Sequence, residues 1–413
     1  MPARKLHVPS LLQLLVSSFG LMTLVPAAGG LALIGMLSAV NDRSPGGQTV
    51  ALFNGAWIAV VTALLLTPSL VQSVQRLSGK TPLHFTLTHP MKVVSLLLLV
   101  WAPLLLLGSQ ISQSRVAWVF FPPLLLAVVI IPLWWLIEFS RRGLPELKGQ
   151  HEWGLVGFSL AATMPLILIV ETVIILAGVA AGIVYIVSQP QLAESLMLLA
   201  QRITLVQGDP EALMRILQPY LRNPTIIFAV MLFTAGLVPF IEELFKPLAM
   251  WFIAGRKLTP AQGFIGGVIC GAVFALLETL AALAVPMGSD WAVTATARLG
   301  TGLLHTAASG LVGWGLASAW SSGKYLRLAA AYGLAVVFHG VWNIFGILLG
   351  FGAVANFAPE SILGRLASAA PVVLPLLAVL LLAFLFGANQ ILRRADAAEK
   401  IEKPAVDVIL LQE

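Results

Sequence analysis

Charged side chains and cysteine are both scarce in this 413-residue chain, at 10% and a single residue respectively. Soluble domains carry roughly 25% charged residues, so the scarcity of charge excludes a water-facing globule of this size. Hydrophobic residues reach 59% and the mean hydropathy is +0.94, which makes the lipid bilayer the solvent of the protein. Cys270 lies in an apolar run, and as the only cysteine it cannot form an intrachain disulfide.

Long apolar runs occupy most of the chain. A membrane-spanning helix needs about 20 mainly apolar residues, and ten runs reach this length. The predicted fold class is therefore all-α, a polytopic transmembrane helical bundle of about ten spans. The runs lie near residues 10–40, 49–73, 92–111, 116–138, 154–188, 223–254, 261–285, 298–320, 328–352 and 370–391.

The basic residues are distributed unevenly between alternate loops. One set of loops and tails holds 16 of the 24 Lys and Arg residues, the other set holds 7, and Lys246 lies within a span. The positive-inside rule places the richer set, with both termini, in the cytoplasm. The net charge of +6 is then a topology signal, and no nucleic-acid partner is expected. We expect an integral, multi-pass protein of a bacterial-type plasma membrane, with an uncleaved first span.

Four segments follow from the spacing of the runs. The longest external loop, within 189–222, contains the helix start Asp209-Pro210-Glu211 and predicts an amphipathic helix, either resting on the membrane or covering a site. The predicted segments are an N-terminal bundle of four spans at 1–153, the fifth span with this external loop at 154–222, a core of four spans at 223–352, and the last span with a basic tail at 353–413.

Ionisable residues are concentrated in the spans of the third segment. Such residues cost about 2.5–3.5 kcal/mol each in a bilayer on insertion scales and usually serve a function. Along successive spans they are Glu242, Glu243 and Lys246, then Glu278, then Arg298 and His305, then His339 with Asn343 one turn later.

The depth of these residues indicates one shared site. At 1.5 Å per residue from the cytoplasmic end of each span, Glu243 lies roughly 17 Å deep, Glu278 roughly 25 Å, His305 roughly 22 Å and His339 roughly 16 Å. All four therefore fall in the middle of a hydrocarbon core about 30 Å thick. Small residues at Gly263, Gly267 and Gly271 predict close helix packing in the same region.

This set of side chains is sufficient for peptide hydrolysis without a serine or cysteine nucleophile. One of two adjacent buried carboxylates, Glu242 or Glu243, can act as a general base toward water. His339 and Asn343 share a helix face and can donate hydrogen bonds to an oxyanion. Lys246 lies one turn from Glu242 and can form an ion pair with it.

A metal-dependent alternative uses the same spans. Two histidines and one glutamate with an open fourth position make a catalytic zinc site. Glu278, His305 and His339 are the candidate ligands, which leaves Glu242 or Glu243 as the base. No HExxH motif is present, so this site requires three helices to converge.

The same motifs resemble those of the PrsW family of intramembrane proteases, relatives of the type II CAAX prenyl endopeptidases and the Abi-type proteins. The resemblance covers residues 223–350 and implies cleavage of a membrane-anchored protein substrate, such as an anti-sigma factor. Catalytic roles are predicted for Glu242, Glu243, Glu278, His305, His339 and Asn343, and supporting roles for Lys246 and Arg298. The motifs are Glu242-Glu243-x-x-Lys246, Phe274-x-x-x-Glu278, Arg298 with His305, and His339-x-x-x-Asn343.

Two positions depart from the CAAX branch, which has an arginine after its paired glutamates and a histidine ending its second motif. Lys246 and Glu278 stand there instead, so processing of prenylated substrates is not favoured. Asn343 is the CAAX-type residue where some PrsW-like proteins have aspartate. Two other functions remain compatible with buried acids: a proton- or ion-coupled transporter, or a non-catalytic scaffold in which the charges form structural ion pairs.

Overall fold

The structure is a computed structural model that describes residues 7–41, 46–82, 87–147, 149–206, 208–255, 257–285, 290–355 and 357–402. Within these ranges the chain forms helices and turns and no strand, which confirms the all-α prediction. The α-helices are α1 Val8–Asn41, α2 Gly47–Leu77, α3 Pro90–Leu99, α4 Trp101–Ile111, α5 Ala117–Arg141, α6 Gly149–Phe158, α7 Met164–Val187, α8 Pro190–Leu205, α9 Pro210–Leu221, α10 Pro224–Met231, α11 Val238–Phe245, α12 Pro260–Leu283, α13 Trp291–Ser322, α14 Tyr325–Ala355 and α15 Ile362–Glu402. Three π-helical segments, Ser159–Thr163, Leu232–Leu237 and Met250–Ala254, interrupt the helices.

Fewer helices than predicted meet both the length and the apolarity of a span. Among the described residues eight do so, and a ninth is counted if α3 and α4, bent by 47° at their junction, cross as one. The predicted span at 298–320 exists as part of α13, but its many Gly, Ser and Thr residues make it less apolar than a span. The count of ten is therefore not confirmed, and the cytoplasmic location of both termini, which depends on it, stays a prediction.

The chain divides into two compact units, and each draws on separate stretches of sequence. Unit 1 comprises Met1–Met164, Glu243–Ala335 and Ala378–Glu413, and unit 2 comprises Pro165–Glu242 and Val336–Leu377. The four sequential segments expected from the spacing of the runs stay a prediction.

Helices α12 and α13 form the centre of unit 1. Helix α12 begins with Pro260 after a capping box made by Thr259 and Gln262, and most of its side chains are buried. Its small residues explain how closely α13 approaches. A Cβ added to Gly263 or Gly267 would meet the backbone carbonyl oxygen of a residue of α13.

Unit 2 contains the helix predicted in the external loop. Helix α9 starts where predicted, since the Asp209 side chain accepts hydrogen bonds from the backbone N–H groups of Glu211 and Ala212, each at 3.0 Å. Leu213 and Ile216, on its apolar stripe, are half-buried. The choice between a surface helix and a covering helix stays a prediction.

Candidate active site

A buried ion pair lies at the end of α11 in unit 1. The ammonium Nζ of Lys246 lies 2.6 Å from Oε1 of Glu243, and both side chains are fully buried. The spacing of the motif suggested Glu242 as the partner of Lys246, whereas this salt bridge joins Lys246 to Glu243. A buried charge is costly unless it is paired and hydrogen-bonded, and the pairing satisfies this requirement for both residues.

His305 of α13 is held at both of its ring nitrogens. Nδ1 lies 2.8 Å from Lys246 Nζ, and Nε2 lies 2.8 Å from Oε2 of Glu278. An ammonium has only protons to donate, so Nδ1 accepts from Lys246. Nε2 then carries the ring proton and donates it to Glu278. This tautomer is assigned from the hydrogen-bond network.

Glu278 on α12 joins His305 to an arginine. The guanidinium Nη2 of Arg298 lies 2.7 Å from the same Oε2 that accepts from His305. Arg298 also donates from Nη2 to the hydroxyl of Thr279, at 3.4 Å. Arg298, a predicted supporting residue, is thus in direct contact with Glu278, a predicted catalytic residue. Together with Glu243 and Lys246 they form a network of two acidic and two basic side chains around the His305 imidazole.

The aromatic residue of the second motif closes the apolar side of this network. The ring of Phe274 lies edge-to-face with the His305 ring, with centroids 4.9 Å apart. Lys246 Nζ lies 4.2 Å from the centroid of the Phe274 ring, within the range of a cation–π contact. Phe274 was part of the recognised motif, but nothing in the spacing indicated that its ring would contact both the Lys246 ammonium and the His305 imidazole.

The position of His305 depends on the glycines of α12. A Cβ added to Gly271 would meet the backbone carbonyl oxygen of His305, and one added to Gly267 would meet that of Ser309. Because these glycines have no side chain, α13 packs against the backbone of α12. Glu278, two turns further along α12, is then within hydrogen-bond distance of His305.

Unit 2 holds the remaining predicted residues. Nε2 of His339 lies 3.9 Å from Oε2 of Glu242, and both side chains are buried. The amide of Asn343 donates to the backbone carbonyl of Thr234 at 2.7 Å. Since an asparagine amide has two N–H groups, one remains to donate elsewhere.

A π-helical segment and a glycine bring Asn343 to Thr234. Thr234 lies within Leu232–Leu237, and π-helical segments frequently occur at functional sites. A Cβ on Gly340 would meet the carbonyl oxygen of Ala235 in the same segment, so the glycine permits the close approach of α14. Sequence reasoning missed Thr234 because no residue pattern in this run signals the π-helical turn.

Each unit offers one carboxylate–imidazole pair as possible metal ligands. In unit 1 a carboxylate oxygen of Glu243 and a ring nitrogen of His305 lie within 4.8 Å of each other, and in unit 2 Glu242 and His339 do so. These donor types suit zinc. A metal bound by His305 would have to replace its contact with Lys246 or with Glu278. Glu278, a predicted ligand, already accepts two hydrogen bonds at Oε2, and its role as a ligand stays a prediction.

The comparisons with known proteins agree with the recognised motifs. A family model described as PrsW family intramembrane metalloprotease matches residues 164–387, which is more than half of the chain and includes every predicted site residue. No curated protein and no solved structure matches. The helices of the described residues agree with an integral membrane protein. This chain therefore belongs to the PrsW family of intramembrane metalloproteases.

Proposed function

We propose that the protein is an intramembrane endopeptidase that hydrolyses a membrane-anchored protein substrate with a glutamate-activated water. The main support is the buried network of Glu243, Lys246, His305, Glu278 and Arg298, which lies in the segment that matches the family. Buried charges at this density are expensive in a membrane protein, so they are expected to serve chemistry.

The proposed reaction assigns a role to each group. Glu242 or Glu243 takes a proton from water, and the resulting hydroxide attacks the scissile carbonyl carbon. His339 and the second N–H of Asn343 donate to the oxyanion that forms. The C–N bond then breaks as the protonated glutamate returns its proton to the leaving amine.

His305 is proposed to position the water rather than to take its proton. Lys246 and Glu278 contact the two ring nitrogens and so fix the orientation of the ring. A catalytic group has to be held in a defined orientation to act efficiently. Arg298 supports the orientation of His305 indirectly, because its salt bridge holds Glu278 in place.

The family is described as one of metalloproteases, and we propose zinc as the metal. Its candidate ligands are Glu243 and His305 in unit 1 and Glu242 and His339 in unit 2. When bound, zinc would supply Lewis-acid activation of water and of the scissile carbonyl. A catalytic zinc takes three protein ligands, whereas each of the two carboxylate–imidazole pairs supplies two. Either pair would therefore need a third protein ligand to form such a site.

Cleavage of a co-expressed membrane-anchored reporter tests the function. Glu243→Gln and His339→Ala should each abolish cleavage, because one removes the base or ligand and the other an oxyanion donor or ligand. Glu194→Gln, on an exposed part of α8, is the matched control and should cleave normally. Membrane insertion of each variant is checked by fractionation. Normal cleavage by both site variants would contradict the proposal.

Metal analysis of the purified protein separates the two mechanisms. A stoichiometric metal that is lost in Glu243→Gln supports metal-bound water, and loss of activity with a chelator should follow. An active wild-type preparation without metal supports the glutamate–water mechanism. Either outcome is compatible with an endopeptidase, so the measurement decides the mechanism and leaves the function to the cleavage assay.

A proton-coupled transporter is the second candidate. The observation in its favour is the continuous chain of hydrogen bonds from Glu243 through Lys246 and His305 to Glu278, since buried ionisable chains also serve as proton relays. Uptake driven by a pH gradient in proteoliposomes, combined with the absence of cleavage, would favour this candidate.

A further inference from the structure

Unit 1 contains a large cavity that the proposed chemistry does not use. Its volume is about 830 Å³, and it lies among α2, α3, α5, α6 and α12. Ligand sites in proteins typically measure ~300–1,000 Å³, so the cavity has the size of a binding site. It is formed largely by the N-terminal spans, for which the family chemistry provides no role.

The lining of the cavity changes from charged to apolar. Its charged residues lie at or just beyond the ends of α5 and α6: Glu138, Arg141, Arg142, Glu146 and Glu152. The remaining wall on α5 and α12 is apolar and includes Ile130, Leu133, Ile265, Ile269 and Leu276. An amphipathic ligand matches this gradient.

The depth of the apolar part matches one leaflet of the bilayer. The lining on α12 runs from Ile265 to Leu276, which at 1.5 Å per residue is about 16 Å. The apolar lining on α5 runs from Ile137 back to Ile130, which is about 10 Å, and the charged Glu138 and Arg141 continue it toward the head-group end. Half of a hydrocarbon core of about 30 Å is about 15 Å, so a lipid of this leaflet can place its head group at the charged end and its chain along the wall.

The charged end carries both signs. Arg141 is held between two acids, at 3.0 Å from Glu138 and 3.3 Å from Glu152, which gives this trio one net negative charge. Arg142 and Glu146 are exposed beside it. A head group with only a phosphate would meet three carboxylates, whereas one with both a phosphate and an ammonium group can place each opposite a residue of the other sign.

We infer that this cavity binds a phospholipid with a zwitterionic, amine-bearing head group, with its phosphate at Arg142 and its ammonium at the carboxylates. One of its two acyl chains lies along α5 and α12 and ends at Leu276, two residues before Glu278. The site is separate from the catalytic residues and does not depend on the proposed hydrolysis.

Native mass spectrometry of the delipidated full-length protein tests the site. The protein is titrated with three lipids of identical acyl chains: phosphatidylethanolamine, phosphatidylglycerol and diacylglycerol. Phosphatidylethanolamine should form a one-to-one complex with the protein at a lower lipid concentration than either of the other two lipids. Equal binding of diacylglycerol would overturn the proposal, because the charged end would then contribute nothing. Preferential binding of phosphatidylglycerol would overturn it as well. In a separate cross-linking experiment, recovery of a protein segment from the cavity would show that a peptide occupies it and would also overturn the proposal.

Two variants locate the lipid. Arg142→Ala should weaken phosphatidylethanolamine binding about tenfold, as expected for loss of a charge-assisted hydrogen bond, while Arg394→Ala, an exposed arginine outside the cavity, should leave it unchanged. Ala272→Phe fills the cavity wall, because Ala272 lines it and is buried, and should reduce binding of all three lipids. Thermal melting confirms that each variant is folded. Unchanged binding in folded Arg142→Ala overturns the proposed head-group site, and if Ala272→Phe does not fold, the lipid selectivity of the wild type still decides.

Discussion

Replacing Gly271 with alanine tests whether the close contact of α12 with α13 positions His305 and Glu278, the proposed catalytic residues of this pair of helices. The added methyl group would meet the carbonyl oxygen of His305 and would lie 2.8 Å from the Cβ of Ser309. Carbon atoms pack best at about 3.5–4.0 Å, so the two helices must separate by at least about 0.7 Å. Neither obstacle can rotate away, since one is backbone and the other is a Cβ.

Separation of α12 and α13 would lengthen the hydrogen bond between His305 and Glu278, because this bond joins the two helices. This bond is 2.8 Å long, and a shift of 0.7 Å or more would lengthen it beyond about 3.5 Å, past hydrogen-bonding distance. Overpacking of this kind costs about 1–3 kcal/mol of stability. A misplacement of 1 Å in a catalytic group can lower the rate about 100-fold. We therefore expect a folded, slightly destabilised protein that has lost most of its cleavage activity.

The single cysteine makes the stability measurement direct. Cys270 is buried on α12 beside the substituted position, so a thiol-reactive dye reports its exposure as the detergent-solubilised protein is heated. Cleavage of the membrane-anchored reporter is measured in parallel. Gly387→Ala is the control, because a Cβ there meets nothing within 4 Å, and both activity and melting should match those of the wild type. Full activity of Gly271→Ala would refute the reasoning that the glycine contact positions His305.

Three further predictions concern the other contacts. Lys246→Met leaves the buried carboxylate of Glu243 without its ammonium partner and should destabilise the protein by about 3–5 kcal/mol, measured with the same dye; an unchanged melting temperature would show that the pair is not needed for stability. Gly340→Ala should lower cleavage strongly by pushing α14 from the π-helical segment, whereas Gly333→Ala on the same helix, with open space around its Cβ, should not; equal effects would argue against the contact. Asp209→Ala removes an exposed N-cap and should lower the stability of α9 by about 1 kcal/mol. Limited proteolysis with an added protease should then cut the protein faster in that loop. If α9 only rests on the membrane, the variant should still cleave the reporter normally.

Several features of the protein could be predicted from sequence because they depend on neighbouring residues alone. The apolar runs predicted the all-α membrane fold, since solvation by lipid is a property of each run. The motif residues on α11 to α14 predicted the family, and the family model confirmed it. The N-cap at Asp209 was also predictable, because it involves only the next three residues.

The partners within the site depended on tertiary packing. Helical spacing placed Glu242 on the same face as Lys246, but the salt bridge to Glu243 forms where the helix ends at Phe245 and Lys246 enters a turn. The two bonds of His305 require the approach of α12 and α13, which the glycines permit but whose register they do not specify.

The number of spans shows the same division between local and tertiary information. Composition alone cannot classify α13, because a helix buried against protein does not need the apolar surface that lipid demands. Sequence by itself therefore determined the solvent of this protein and its family, and it predicted which residues are reactive. Only the tertiary structure decided which of these residues touch, because the contacts join helices that are far apart along the chain.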